Sequence, residues 1–185
     1  WLIRFLRHRI GDERIIRLVQ KWLKAGVLEE GQWQNSDMGT PQGAVISPLL
    51  ANIYLHYVFD LWVKQWRRRE AKGKAIVVRY ADDIVMGFEL ESDARCFLDA
   101  MRERFAQFGL ELHGEKTRLI EFGRFAAYQR GRRGQGKPET FTFLGFTFIC
   151  GKSRSGAFLL QRKTRADRMV AKLVEITRAN AKTDA

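Results

Sequence analysis

The sequence predicts an α+β fold in which an antiparallel sheet carries helices on one face. Three observations predict it. Apolar residues recur at helical spacing through residues 1–69, two apolar runs rich in branched side chains flank a short acidic turn at Asp82-Asp83, and strand-like runs return after residue 140. The 185 residues suit one compact domain, or one domain and the start of another. With 45% apolar residues, thirteen Phe and five Trp, the chain has material for a core.

Taken in order, Trp1, Leu2, Ile3, Phe5 and Leu6 form an amphipathic stretch. Asp12 is placed to cap a helix running to Ala25 and stopped by Gly26, with Ile15, Ile16, Val19, Trp22 and Leu23 as its buried face. Residues 29–45 read as a turn-rich link. Ser47-Pro48 then opens a long helix, hydroxyl cap followed by proline at the first helical position. Its inward residues are Leu50, Ile53, Tyr57, Leu61 and Trp62, and it ends in a basic run that includes Arg67, Arg68 and Arg69.

Residues 75–80 and 84–88 predict a β-hairpin around Ala81-Asp82-Asp83. Ser92 would cap a third helix with Phe97, Leu98, Met101, Phe105 and Phe108 inward, ended by Gly109. Short strands are expected at 110–112 and 118–122, and an exposed, mobile Gly- and Arg-rich loop at 123–139. A second hairpin is expected from 140–150 and 157–161. Met169, Val170, Leu173 and Ile176 suggest a closing helix rich in Arg and Lys.

The formal net charge of +12 points to a polyanionic partner, since every neutralised phosphate releases condensed counterions; a solvated basic surface is the plainer account. Cys96 and Cys150 lack metal-ligand spacing and read as small buried hydrophobes of a reducing compartment. No signal peptide is expected, and no apolar run approaches the roughly 20 residues that cross a bilayer. The chain starts at Trp1 inside an apparent helix and ends inside another, so both ends read as cut from a longer protein.

Asp82 and Asp83 are the residues that carry chemistry. As a bare dipeptide they also fit a solvated turn. The apolar flanks instead place the hairpin centrally in its sheet, and two adjacent carboxylates at its tip repel one another unless a cation joins them. Few hard oxygen ligands suit Mg²⁺ and leave positions for phosphates.

Here the chain resembles a family. Tyr80-Ala81-Asp82-Asp83 between apolar strands is similar to the catalytic hairpin of reverse transcriptases. Gly39-Thr40-Pro41-Gln42-Gly43-Ala44-Val45-Ile46-Ser47-Pro48-Leu49-Leu50-Ala51-Asn52-Ile53-Tyr54-Leu55 resembles the corresponding block of bacterial group II intron-encoded reverse transcriptases, or maturases. Gly109-Leu110-Glu111-Leu112-His113-Gly114-Glu115-Lys116-Thr117 and Phe143-Leu144-Gly145-Phe146 match two further blocks in order. Together they span residues 39–146.

The resemblance implies an RNA-directed DNA polymerase of a mobile element, adding dNTPs to a DNA primer on an RNA template in the bacterial cytoplasm. Two Mg²⁺ ions, for which Mn²⁺ can substitute, would lie about 3.5–4 Å apart. Asp82 would be the principal ligand and Asp83 secondary. Tyr80 and Ala81 would lie near the primer end and incoming nucleotide, while Gln42 and Gly43 would reach nucleotide and template. Lys116 would face the triphosphate, and Phe143, Leu144, Gly145 and Phe146 would grip the primer. By themselves the Pro-Gln-Gly stretch fits an ordinary loop, Lys116 a surface lysine, and 143–146 the alternating residues of a strand. His113 reads as a turn-stabilising group, Gly114 stands where close relatives have proline, and His8 and His56 read as structural or surface residues.

Arg67, Arg68, Arg69, Arg130, Arg132, Arg133, Arg162, Lys163, Arg165 and Arg168 could follow nucleic-acid backbones, a DNA–RNA hybrid being recognised by shape and 2′-hydroxyls. The resemblance also implies structured intron RNA as a partner and no membrane, and the sequence does not reveal the oligomeric state. The resemblance makes residues 1–161 a palm without its fingers and first catalytic strand, and 162–185 the start of a helical thumb. The remaining metal ligand would then precede Trp1, and the chain alone would be inactive. Two other readings stay open: an RNA-binding maturase module without polymerase activity, and a reverse transcriptase of another bacterial system, retron-like or CRISPR-associated.

Overall fold

The computed structural model describes residues 1–24, 27–29, 32–34, 46–164, 170 and 174, with 27–29 and 32–34 described by backbone alone. The chain divides into two compact units, Trp1–Thr117 and Arg118–Ala185. No helix among the described residues is long and apolar enough to cross a membrane.

In the first unit, helix α1 spans Leu2–Arg7 and α2 spans Glu13–Lys24. Asp12 caps α2 as expected: the Arg14 backbone N–H donates to its Oδ1 at 2.8 Å, and the bonded Arg14 side chain holds the Asp12 carboxyl below its ordinary pKa. Ile16 and Val19 are buried, but Ile15 and Trp22 are exposed. The amphipathic stripe is thus narrower than its sequence suggests: among the described residues α2 packs against α1 and α3, through Leu6 and Leu50. Residues 27–34 hold a short antiparallel pair, β1 (Val27–Glu29) with β2 (Gln32–Gln34), where the sequence reads as helix end and link. Ala25 and Gly26 lie outside the described residues.

The long second helix is not one α-helix. It comprises α3 (Ser47–Leu55), a π-helical turn (His56–Asp60) and α4 (Leu61–Arg69). Helix α3 starts at Ser47 itself, with Ile46 in the cap position. At the π turn Leu61 N–H donates to the His56 carbonyl five residues back. One residue more per turn rotates everything downstream by about 100°. Leu61, expected inward, is therefore 41% exposed, while Val58 and Phe59 are fully buried. They join Val63, Trp66, Phe97, Met101 and Phe105 in the main core, with Trp66 edge-on to Phe97 at 4.8 Å. The Arg104 guanidinium donates to the Val58 carbonyl within the π turn at 3.1 Å.

Strands β3 (Ala75–Tyr80) and β4 (Asp83–Phe88) form the expected hairpin, whose inner face of Val77, Ile84, Met86 and Phe88 covers this core. Helix α5 spans Glu91–Gln107, starting one residue before Ser92, with Leu90 as cap residue. Its buried Asp93 accepts the Lys72 and Gly73 backbone N–H groups, both at 2.9 Å, and so ties the approach to β3 onto α5. Gly109, at φ +67°, ends the helix, and Leu110 N–H returns to the Phe105 carbonyl at 2.9 Å. Tyr54 Oη donates to the Phe108 carbonyl at 2.6 Å.

The strands expected at 110–112 and 118–122 do not form: both segments are irregular, since neither enters a ladder with another described strand. In the second unit, the expected loop at 123–139 contains helix α6 (Ala126–Arg132), seeded by helix-forming residues and seated through buried Ala126. A meander follows: β5 (Phe141–Phe143), β6 (Phe146–Lys152) and β7 (Phe158–Thr164). Phe146 pairs with Thr164 and Phe148 with Arg162, so the strand passes the boundary expected after residue 161, and Arg162 and Lys163 lie on a strand instead of a helix. Cys96 is exposed, contrary to its reading as a buried hydrophobe, because its place on α5 faces away from the core. Cys150 is half-buried, its Sγ accepting the Gly123 N–H at 3.2 Å. Val170 and Val174 are helical but exposed; Met169, Leu173 and Ile176 lie outside the described residues.

The π register makes a sharp distinction between two neighbours. Phe59→Ala is expected to lower stability by about 3–5 kcal/mol, and Leu61→Ala by less than about 1 kcal/mol, in denaturant midpoints. A straight helix with Leu61 inward would reverse that order.

Candidate functional site

Tyr80 pairs with Asp83, so the hairpin turn contains just Ala81 and Asp82. A two-residue link requires a backbone twist that places its first residue in the left-handed region, and Ala81 has φ +52°. A side chain there costs about 1–2 kcal/mol, and alanine avoids the further clash of a branched one. Asp82 therefore stands at the tip and Asp83 opens β4. Both carboxylates are exposed, and neither has a hydrogen-bond or ion-pair partner among the described residues.

The expectation that the hairpin is central in a sheet needs correction. Within the described residues β3 and β4 form a two-stranded sheet. One face lies on the core, and the other presents Ile76 (67% exposed), Val78 (48%) and Tyr80 (65%). Cross-strand pairing puts Val85 and Asp83 on that same outer face. Apolar flanks had implied cover on both sides; the alternation 75, 77, 79 inward and 76, 78, 80 outward shows cover on one.

Beneath the turn lies a polar cluster. Arg79 points inward, where alternation calls for an apolar residue. Its guanidinium meets Asp60 through Nε–H to Oδ1 at 2.8 Å and Nη2–H to Oδ2 at 2.6 Å. Nη1 donates to Asn52 Oδ1 and to the Ala81 carbonyl, each at 2.8 Å. The Asp60 hydrogen bonds raise the Arg79 pKa further, against the effect of burial. None of these three residues stands out in the sequence. The available signal was a guanidinium at an inward strand position, which requires a buried partner.

The residues at the turn fit a hard divalent ion: adjacent oxygen donors, unpaired and accessible, on a backbone held from behind. No group of three or more His, Cys, Asp or Glu suited to a metal occurs among the described residues, so these two would be part of a coordination set. Residues 1–148 match the family described as reverse transcriptase (RNA-dependent DNA polymerase). The chain belongs to the reverse transcriptase family.

Among curated proteins, the chain is similar to the group II intron-encoded protein LtrA of Lactococcus lactis subsp. cremoris, at 51% identity over 68% of this chain and 22% of LtrA. It is also similar to protein YkfC of Escherichia coli K12, 28% identical over 84% of this chain and 44% of that protein. An uncharacterised 91 kDa protein in the cob intron of Schizosaccharomyces pombe shares 51% identity over 30% of this chain and 7% of its own length. The group II resemblance read from the sequence is thereby borne out. The chain spans less than half the length of each of these relatives.

The other expected positions of a reverse transcriptase site are distributed unevenly. Gln42 and Gly43 lie outside the described residues, as do Arg165 and Arg168. Lys116 is exposed on a turn in which its own N–H and that of Thr117 return to the His113 carbonyl, at 3.2 and 2.9 Å; it forms no ion pair with Asp82 or Asp83. The His113 role is thus carried by its backbone. His8 Nδ1 lies 3.3 Å from Tyr57 Oη, and His56 Nδ1 3.5 Å from Asp60 Oδ2.

In the second unit, Phe143 pairs with Phe146 across Leu144 (φ +49°) and Gly145 (φ +81°), so both central residues are left-handed as in a type I′ turn. Arg162 lies over the Phe146 ring at 5.4 Å. Arg130 donates to the Gly136 carbonyl and Arg133 pairs with Glu121, so these two brace α6, while Arg132 is exposed. In the first unit, Arg67, Arg68 and Arg69 are exposed in the last turn of α4, where cations suit the helix dipole.

The Ala81 backbone can be tested directly. Ala81→Val is expected to lower stability by about 1–2 kcal/mol, because a branched side chain resists the left-handed region, whereas Ala81→Gly stays within about 1 kcal/mol of wild type. Thermal denaturation of both variants checks this order.

Proposed function

We propose that this chain carries the catalytic hairpin of a group II intron-type reverse transcriptase, an RNA-directed DNA polymerase extending a DNA primer on an RNA template. The observation that carries the reading is the pair of exposed, unpaired carboxylates at the strained Tyr80-Ala81-Asp82-Asp83 turn. Asp82 at the tip would be the principal metal ligand and Asp83 the secondary one. Bound Mg²⁺, or Mn²⁺ in its place, supplies Lewis-acid stabilisation of the attacking 3′ oxygen and the leaving pyrophosphate.

The chain's own residues then have separable tasks. Tyr80 and Val78 offer an apolar face against which the primer end and the incoming dNTP can lie, and Ala81 leaves room beside them. Gln42 and Gly43 approach nucleotide and template. Lys116 brings positive charge to the triphosphate, and 143–146 grips the primer. Exposed arginines neutralise phosphates without reading sequence. In family terms, residues 1–161 are palm and 162–185 the beginning of the thumb, whose first residues continue β7. With two carboxylates at the turn, a further ligand comes from outside the described residues, and the chain alone is not expected to polymerise.

Primer extension by the full-length protein that carries this chain tests the assignment. Asp82→Asn is expected to lower kcat by about 10³-fold or more and Asp83→Asn by about 10–100-fold. Extension that survives Asp82→Asn at the wild-type rate would overturn it.

The charge of +12 favours a second role, holding structured intron RNA. Arg132 and Lys137 are exposed on the second unit. Their joint replacement by Glu is expected to weaken RNA binding and to reduce its salt dependence, by about 0.7–0.9 in the log–log slope for each phosphate no longer neutralised. Extension of a short primer should persist.

A further inference from the structure

We infer that Arg79 is a positioning residue for the catalytic turn, itself aimed by Asp60 and Asn52, so that the helical run from α3 to α4 sets where the Asp82 carboxylate stands. This rests on the reading of Asp82 and Asp83 as the metal-holding pair.

The Arg79 side chain is 14% exposed. A guanidinium is planar, with five N–H bonds in a rigid fork. Asp60 takes one edge of that fork with both carboxylate oxygens, and Asn52 takes part of another. With those fixed, the direction in which Nη1 meets the Ala81 carbonyl is also fixed. That carbonyl belongs to the peptide plane linking Ala81 to Asp82, and the plane is rigid. Holding its oxygen sets the rotation of the plane and, through it, the position of the Asp82 Cα from which the side chain departs. The same bond offsets the cost of the left-handed Ala81.

Both supports are themselves placed by the helical run. Asp60 is the last residue of the π turn, whose additional residue rotates it under β3. Asn52 donates from Nδ2 to the Pro48 carbonyl at 3.0 Å, which orients its amide so that Oδ1 is the atom offered to Arg79. The start of α3, directly after the Pro41-Gln42-Gly43 stretch, is thereby linked through two side chains to the turn that carries Asp82. A lysine at position 79 could retain Asp60, but a single ammonium cannot also hold Asn52 and Ala81 in this planar arrangement.

Arg104 provides the matched control. It too is a partly buried arginine bonded to the π turn, through the Val58 carbonyl, but among the described residues it makes no bond to the hairpin. The test uses the full-length protein with Arg79→Lys, Asp60→Asn, the two combined, and Arg104→Lys. Amide hydrogen exchange in the peptide covering residues 80–84 is expected to accelerate at least about tenfold in Arg79→Lys and to stay within about twofold in Arg104→Lys. In primer extension, Arg79→Lys should lower kcat about 10–100-fold, with KM for dNTP within about threefold and a raised Mg²⁺ requirement for half-maximal rate. The double variant should lose little beyond the worse single one. Unchanged exchange in Arg79→Lys, an equal effect from Arg104→Lys, or full additivity would overturn the inference. If the unaltered protein extends no primer, the polymerase reading fails, and the exchange comparison still decides for or against Arg79.

Discussion

A guanidinium taken out of water must have its donors met within the protein, because each unmet one keeps its desolvation cost. Arg79 on β3 imposes that requirement beside the left-handed Ala81. Two of its acceptors, Asp60 and Asn52, lie on the helical run beneath the hairpin, and the third is the carbonyl of strained Ala81. The hairpin cannot shift its register on the core without breaking this set. One residue of slip would also turn Val77, Met86 and Phe88 outward.

The π turn follows from two competing demands on one helix. Leu50 belongs to a small core with α1 and α2, while Val58, Phe59, Val63 and Trp66 belong to a larger one with α5 and the hairpin. A regular helix has a single continuous face. One wide turn re-aims the second half, and Arg104 bonds to that turn at the Val58 carbonyl.

Both hairpin tips expected to touch substrate use left-handed residues with side chains, Ala81 in one unit and Leu144 in the other. Such residues persist only where flanking pairs over-determine the turn, and here each is closed by a full antiparallel ladder. The charge pattern is equally divided. Some arginines brace the fold locally, as Arg130, Arg133 and Arg79 do, whereas Arg67, Arg68, Arg69 and Arg132 stay exposed. Net charge alone does not separate these classes.

What the sequence by itself determined is local. Helical spacing placed α2 and α5, the Asp12 cap and Gly109 stop were legible as single residues, and branched runs around an acidic turn marked the β3–β4 hairpin with Asp82 and Asp83 at its end. Ordered blocks such as Tyr80-Ala81-Asp82-Asp83 also sufficed to recognise the family. Tertiary structure decided whatever depends on partners distant in the chain. The π turn and the exposure of Leu61 arise from serving two cores, and strands at 110–112 and 118–122 failed for want of a partner ladder. Arg79 finds Asp60 and Asn52 across 19 and 27 residues. Periodicity reports which face of an element is apolar, but a buried charge is defined by what the fold brings against it, so the support behind the Asp82-Asp83 turn became legible only in three dimensions.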